Sequence, residues 1–237
     1  MPELKAEFVT LQVSDGTAMR AFVAQPEGRD KLPGLLVFQE AFGVNEHIRD
    51  VTQRFAREGY VAIAPELFHR TAPPGYEGSY ADFQSVMPHV MALDDKNLEA
   101  DIRAAHNALL QQNAIDAQRI ACVGFCMGGR VSFLANLILP LRAAISFYGG
   151  GIAKSERGPG LLGRVAETHG PIFLFWGGLD KHIGPDSERP WEKHCEMRAR
   201  RSPAWSSRMR ITRFSVMRGR ATTRWRQSGH GRCRWRF

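Results

Sequence analysis

Arg119-Ile120-Ala121-Cys122-Val123-Gly124-Phe125-Cys126-Met127-Gly128-Gly129 is the stretch on which the fold turns. A short β-rich apolar run leads into Gly124-Phe125-Cys126-Met127-Gly128, and apolar residues at helical spacing from Val131 to Leu139 follow at once. The order is strand, tight turn, helix. Such a turn strains its central residue and crowds it against neighbours two positions either side, which is why glycines flank it. Cys126 is thereby lifted above the sheet as a candidate nucleophile. The helix N-terminus beside it stabilises a thiolate, and the Met127 N–H is placed to serve one half of an oxyanion hole. The competing readings are a buried structural cysteine and a phosphate-binding loop. Cys122, inside the strand, is expected to be core.

Outward from this turn, apolar runs at Gly34 to Phe38, Tyr60 to Ala64, Ala143 to Tyr148 and Ile172 to Trp176 are short and bounded by Gly or Pro. They read as parallel strands buried on both faces. Between the strands lie helical patterns at His47 to Glu58, Asp94 to Gln112 and Gly128 to Leu139, the second opening on Asp94 and Asp95 as cap candidates. Alternation of this kind implies a doubly wound, mostly parallel α/β sheet with helices on both faces, which binds ligands beyond the carboxyl ends of its strands. Residues 6 to 13 and 19 to 25 alternate apolar and polar around Ser14-Asp15-Gly16-Thr17, the pattern of a hairpin of edge strands. The Pro-, Gly- and aromatic-rich segment Thr71 to Val90 interrupts the alternation and is expected to form a lid or pocket wall.

A length of 237 residues with 43% hydrophobic content suits one domain. No apolar run approaches the roughly 18 residues of a membrane span, and Met1 to Phe8 is too charged for a signal peptide. A soluble, cytoplasmic monomer is expected. Cys122, Cys126, Cys195 and Cys233 form no CxxC pair, so neither disulfides nor a zinc site are expected. The net charge of +8 resides in the tail, because Met197 to Phe237 holds 13 Arg with no Lys, Leu or acid, while all 24 acids precede it.

Several motifs together resemble the dienelactone hydrolases, carboxymethylenebutenolidase-like members of the α/β-hydrolase fold. These are Gly124 to Gly129, Gln39-Glu40-Ala41-Phe42-Gly43-Val44-Asn45, Ala64-Pro65-Glu66-Leu67 and Trp176-Gly177-Gly178-Leu179-Asp180, in register from Val37 to Cys195. The resemblance implies a Cys-His-Asp triad that opens a lactone or small ester through an acyl-enzyme, with no cofactor or metal. It makes Cys126 the nucleophile, Asp180 the triad acid and Glu40 the glutamate that holds the resting cysteine. The N–H groups of Met127 and Ala41 become the oxyanion donors. Relatives that take carboxylated lactones use arginines near the pocket, yet Thr71 to Val90 contains none. A broader lactone or ester substrate is therefore expected, walled by Phe42, Phe68, Tyr76 and Phe83, with Arg70 read as an exposed basic residue.

One element of the pattern is missing. The triad histidine should follow Asp180 by about 30 residues, but none stands there, leaving His182, His194 and His230 as poor candidates. Residues 1 to 196 read as the hydrolase domain and 197 to 237 as an atypical tail. The tail suggests either a basic arm for nucleic acid or a shifted reading frame, and the frame is the stronger reading. An alternate frame permits Asp-His-Ala-Phe-Phe with its histidine at Ile211 to Thr212, so the closing strand and helix are expected to be lost or garbled. The alternative function is a catalytically impaired binding homologue with a nucleic-acid-binding arm.

Overall fold

The computed structural model describes residues 3–153, 160–177, 180 and 183 with their side chains, and 209–217 and 220–222 as backbone. The strands are β1 (Leu4–Gln12), β2 (Ala18–Pro26), β3 (Leu32–Phe38), β4 (Val61–Pro65), β5 (Ile115–Phe125), β6 (Ala143–Phe147), β7 (Ile172–Gly177), β8 (Met209–Met217) and β9 (Arg220–Thr222). They form one sheet in the order β1-β2-β4-β3-β5-β6-β7-β8-β9. Pairing is parallel from β4 across to β8 and antiparallel at both ends. The helices are α1 (Glu46–Arg57), α2 (Phe83–Ala92), α3 (Asp95–Leu110) and α4 (Met127–Ile138).

Strand period sorts the core into two faces. On β3, Leu36 and Phe38 pack with Ile102 and Leu109 of α3 and Phe133 and Leu134 of α4. Leu35 and Val37 point the other way, against Ile48, Val51 and Ala56 of α1. Helix starts follow capping chemistry. Asn45 Oδ1 accepts from Ile48 N at 3.1 Å, and Asp94 Oδ1 accepts from Asn97 N at 2.9 Å, so Asp94 rather than Asp95 is the α3 cap. No helix among the described residues is long and apolar enough to cross a membrane.

Two expectations are corrected, and the segment Thr71 to Val90 gains a helix. Of the N-terminal hairpin only β1 lies at the sheet edge, because β2 pairs with β4 from Ala21↔Pro65 to Ala24↔Ala62 and is buried along most of its length. The segment Thr71 to Val90 contains most of helix α2, capped by Asp82, whose Oδ1 accepts from Ser85 N. The closing strand is not lost, since β8 pairs in parallel with β7 from Ile172↔Met209 to Gly177↔Phe214. Main-chain pairing tolerates an unusual composition, and Ile211, Thr212, Phe214 and Val216 supply strand propensity. The expected closing helix lies outside the described residues.

Arg70 is also different from its expected exposed state. Its guanidinium donates through Nη1 and Nη2 to both oxygens of Asp101 at 2.8 Å, and through Nε and Nη2 to Asp15 Oδ2 at 2.9 and 2.7 Å. His69 Nε2 lies 3.1 Å from Asp101 Oδ1, and the Asp101 side chain is fully buried. This network pins the β1–β2 turn and the segment after β4 to α3. Replacing Asp101 by Ala removes the buried carboxylate shared by Arg70 and His69 and leaves Asp15 as the remaining partner of the half-buried guanidinium, so a loss of about 2 kcal/mol is expected in urea unfolding. Replacing the more exposed Asp15 is expected to cost far less.

Candidate active site

The cysteine turn is built by close backbone contact. Cys126 has φ 55° and ψ −121°, a conformation side-chain-bearing residues rarely adopt, and it immediately precedes α4. A Cβ on Gly124 would collide with the Gly128 carbonyl oxygen, and one on Gly128 would lie 2.4 Å from the Phe38 and Gln39 carbonyl oxygens. The glycines therefore let the turn press against the end of β3, where the loop carrying Glu40 and Ala41 begins. Cys126 N–H donates to Phe147 O at 3.0 Å, and Gly129 N–H donates back to Cys126 O at 2.9 Å. Buried Gln39 holds the loop by accepting from Leu67 N at 3.0 Å.

The Cys126 thiol is pushed above its ordinary value, chiefly by burial. The N–H groups of Met127 and Ala41 hydrogen-bond the sulfur and oppose that shift, while the carboxylates of Glu40 and Asp180 reinforce it. The helix N-terminus was expected to stabilise a resting thiolate; desolvation and two nearby acids outweigh it. Cys122, fully buried, is pushed up to about 12 by burial.

Glu40 is gripped by two phenols. Its Oε2 accepts from the Tyr80 hydroxyl at 2.8 Å and its Oε1 from the Tyr148 hydroxyl at 3.1 Å, while Asn45 Nδ2 donates to the Tyr80 oxygen at 3.1 Å. Asp180 follows β7 with its N–H donating to Gly177 O and its Oδ1 accepting from Ile183 N, both at 3.0 Å. Cys126, Glu40, Ala41, Met127 and Asp180 thus meet at the carboxyl edge of the sheet. Among the described residues no histidine hydrogen-bonds Cys126. His182, His194 and His230 lie outside the described residues. The described residues also contain no group of three or more His, Cys, Asp or Glu able to hold a metal ion.

The model of the Dienelactone hydrolase family matches residues 19–201, well over half of the chain. The chain belongs to the dienelactone hydrolase family. A protein of Salmonella typhimurium provisionally named carboxymethylenebutenolidase is 35% identical over 186 residues, covering 76% of this chain and 67% of that protein. One from Synechocystis, with the same provisional name, is 34% identical over 187 residues, covering 76% of this chain and 74% of its own length. A crystal structure described provisionally as a dienelactone hydrolase from Klebsiella pneumoniae superposes with TM-score 0.76 at 28% identity, covering 89% of this chain and 85% of that one. The chain spans about two thirds to three quarters of the length of these curated relatives.

Within this dienelactone hydrolase site the expected aromatic walls divide. Phe42 packs at a tilt against Tyr80 with ring centroids 4.2 Å apart and meets Phe83, which is exposed, at 6.1 Å. Phe68 is instead buried with Ala41, Val86 and Val90, so it supports the Glu40–Ala41 loop from behind. Phe68 and Tyr76 share a cavity of about 10 Å³ behind that loop, room for about one water. Tyr80 and Tyr148 were missed by sequence reasoning. Tyr148 ends a strand whose carboxyl end was expected to face the ligand, so its position was the available signal; nothing local marks Tyr80. Because the Glu40 charge raises the thiol pKa, Glu40→Gln is expected to lower it and to speed iodoacetamide labelling of Cys126 at neutral pH by roughly three- to tenfold. Wild-type labelling should still be climbing above the usual thiol range; a variant that labels no faster than wild type contradicts the assignment.

Proposed function

We propose that this chain cleaves a lactone or small carboxylic ester through a thioester on Cys126. The observation that carries the reading is the pair of N–H groups, Met127 and Ala41, converging on the sulfur of a residue strained at φ 55°. Those donors wait where charge would develop on a substrate carbonyl oxygen. Entry of the carbonyl takes both N–H groups, the thiol proton passes to Glu40, and the sulfur attacks. Asp180 stands where a triad acid would orient a histidine.

An uncharged substrate fits better than a carboxylated lactone. Arg20 is paired with Glu66, Arg49 with Glu77, Arg70 with Asp101 and Asp15, and Arg130 with Asp95, so these guanidiniums are already engaged. The shifted-frame reading of the tail, which the family match leaves at residue 201, implies that hydrolysis of the thioester is slow in this chain. The basic arm for nucleic acid has no comparable support.

Mixing the protein with p-nitrophenyl acetate should give a burst of p-nitrophenol matching the enzyme concentration and an acetyl thioester on Cys126. Cys126→Ala should abolish the burst; an undiminished burst in that variant overturns the nucleophile. Recoding residues from about 198 into the alternate frame should raise steady-state turnover on the order of a thousandfold, and equal rates for the two chains would reject the frame reading.

A further inference from the structure

Glu40 as proton acceptor creates a second problem, which the two phenols address. An ionised carboxylate only accepts hydrogen bonds, so both tyrosines can donate to it in the resting state. Once Glu40 holds the thiol proton, one of its oxygens becomes a donor, and the phenol on that oxygen must turn to accept. Its own proton is then free to move elsewhere. Tyr80 is poorly suited to turning, because its oxygen already accepts from Asn45 Nδ2. Among the described residues the Tyr148 hydroxyl has one hydrogen-bond partner, Glu40 Oε1.

Position singles out the same residue. Tyr148 stands at the carboxyl end of β6, between the strand that ends in the cysteine turn and the strand that precedes Asp180. Its left-handed backbone, φ 41°, is held by donation of its N–H to Phe175 O at 2.7 Å, and its ring lies 6.4 Å from that of Phe125, next to the nucleophile. The residue remains 38% exposed, and its hydroxyl sits on Glu40 at the site. Burial and the neighbouring Glu40 carboxylate keep the phenol protonated, as a proton donor must be.

Resting on the hydrolase reading above, we propose that Tyr148 is a further catalytic residue, the proton donor to the leaving oxygen during acylation, recharged by Glu40. The Cys126 S–H bond breaks, its proton joins Glu40 Oε1, and the sulfur–carbon bond forms. As the tetrahedral adduct collapses, the carbon–oxygen bond to the leaving group breaks and that oxygen takes the Tyr148 phenol proton. Tyr148 takes the proton from Glu40. The products are a thioester and an alcohol, with Glu40 ionised and Tyr148 neutral again.

The test is the rate of Cys126 thioester formation from two acetate esters, p-nitrophenyl and an unactivated alkyl ester, in wild type, Tyr148→Phe and Tyr80→Phe. A p-nitrophenolate leaves without a proton, whereas an alkoxide requires one. Tyr148→Phe should therefore slow the alkyl ester on the order of a hundredfold and the p-nitrophenyl ester by no more than about twofold. Tyr80→Phe, which only loosens Glu40, should slow both alike. Equal slowing of the two esters by Tyr148→Phe, or no slowing of either, overturns the proposal, as does a wild type that acylates only from the p-nitrophenyl ester. Failure of wild type to acylate from either ester overturns the hydrolase reading itself and this proposal with it.

Discussion

The contact on which this structure depends is backbone against backbone, where the cysteine turn meets the end of β3. With Gly128 lacking a side chain, the start of α4 lies directly against the Phe38 and Gln39 carbonyl groups. That approach sets the distance between Met127 N–H and Ala41 N–H, two donors from segments almost ninety residues apart in the chain. A Cβ at Gly128 would separate the segments and split the pair of donors, and one at Gly124 would push the start of α4 away from β5. The strain stored at Cys126 is supported from both sides, by Phe147 O accepting its N–H and by the nearly wholly buried α4.

The electrostatics of the site run against a resting thiolate. Burial disfavours the charged sulfur, and Glu40 and Asp180 repel it, so only the two N–H donors favour ionisation. On the proposed reading, the thiol is quiet until a carbonyl claims those donors and a nearby base takes the proton. Glu40 is the described group suited to that exchange, and its placement by Tyr80 and Tyr148 makes the proton's path a question of three side chains rather than one. The Asp101 network lies apart from this site; it holds the segment after β4, on which Phe68 and Tyr76 back the Glu40–Ala41 loop.

Much of this was legible in the amino-acid order. Short apolar runs alternating with helical periodicity specify a doubly wound sheet, and glycine-flanked Cys126 between a strand and a helix specifies the turn. Asp180 was legible for the same reason, since it follows a buried strand at the ligand-binding edge. Less legible were residues whose role comes from partners distant in sequence. Arg70 looked like a surface cation because its partners, Asp15 and Asp101, stand 55 and 31 residues away. Phe68 looked like a pocket wall because hydrophobicity does not say which side of a loop a ring packs against. Strand β8 was obscured by arginine-rich composition, although backbone pairing requires little of the side chains.

By itself, then, the sequence determined the order of strands and helices, the cysteine turn and the acids at the sheet edge, because periodicity and glycine placement act over a few residues. Tertiary structure alone decided that two amides converge on the sulfur, that burial holds the thiol protonated, and that two tyrosines share Glu40. Those properties are set by distance and desolvation between segments remote in the chain, quantities that no local pattern encodes.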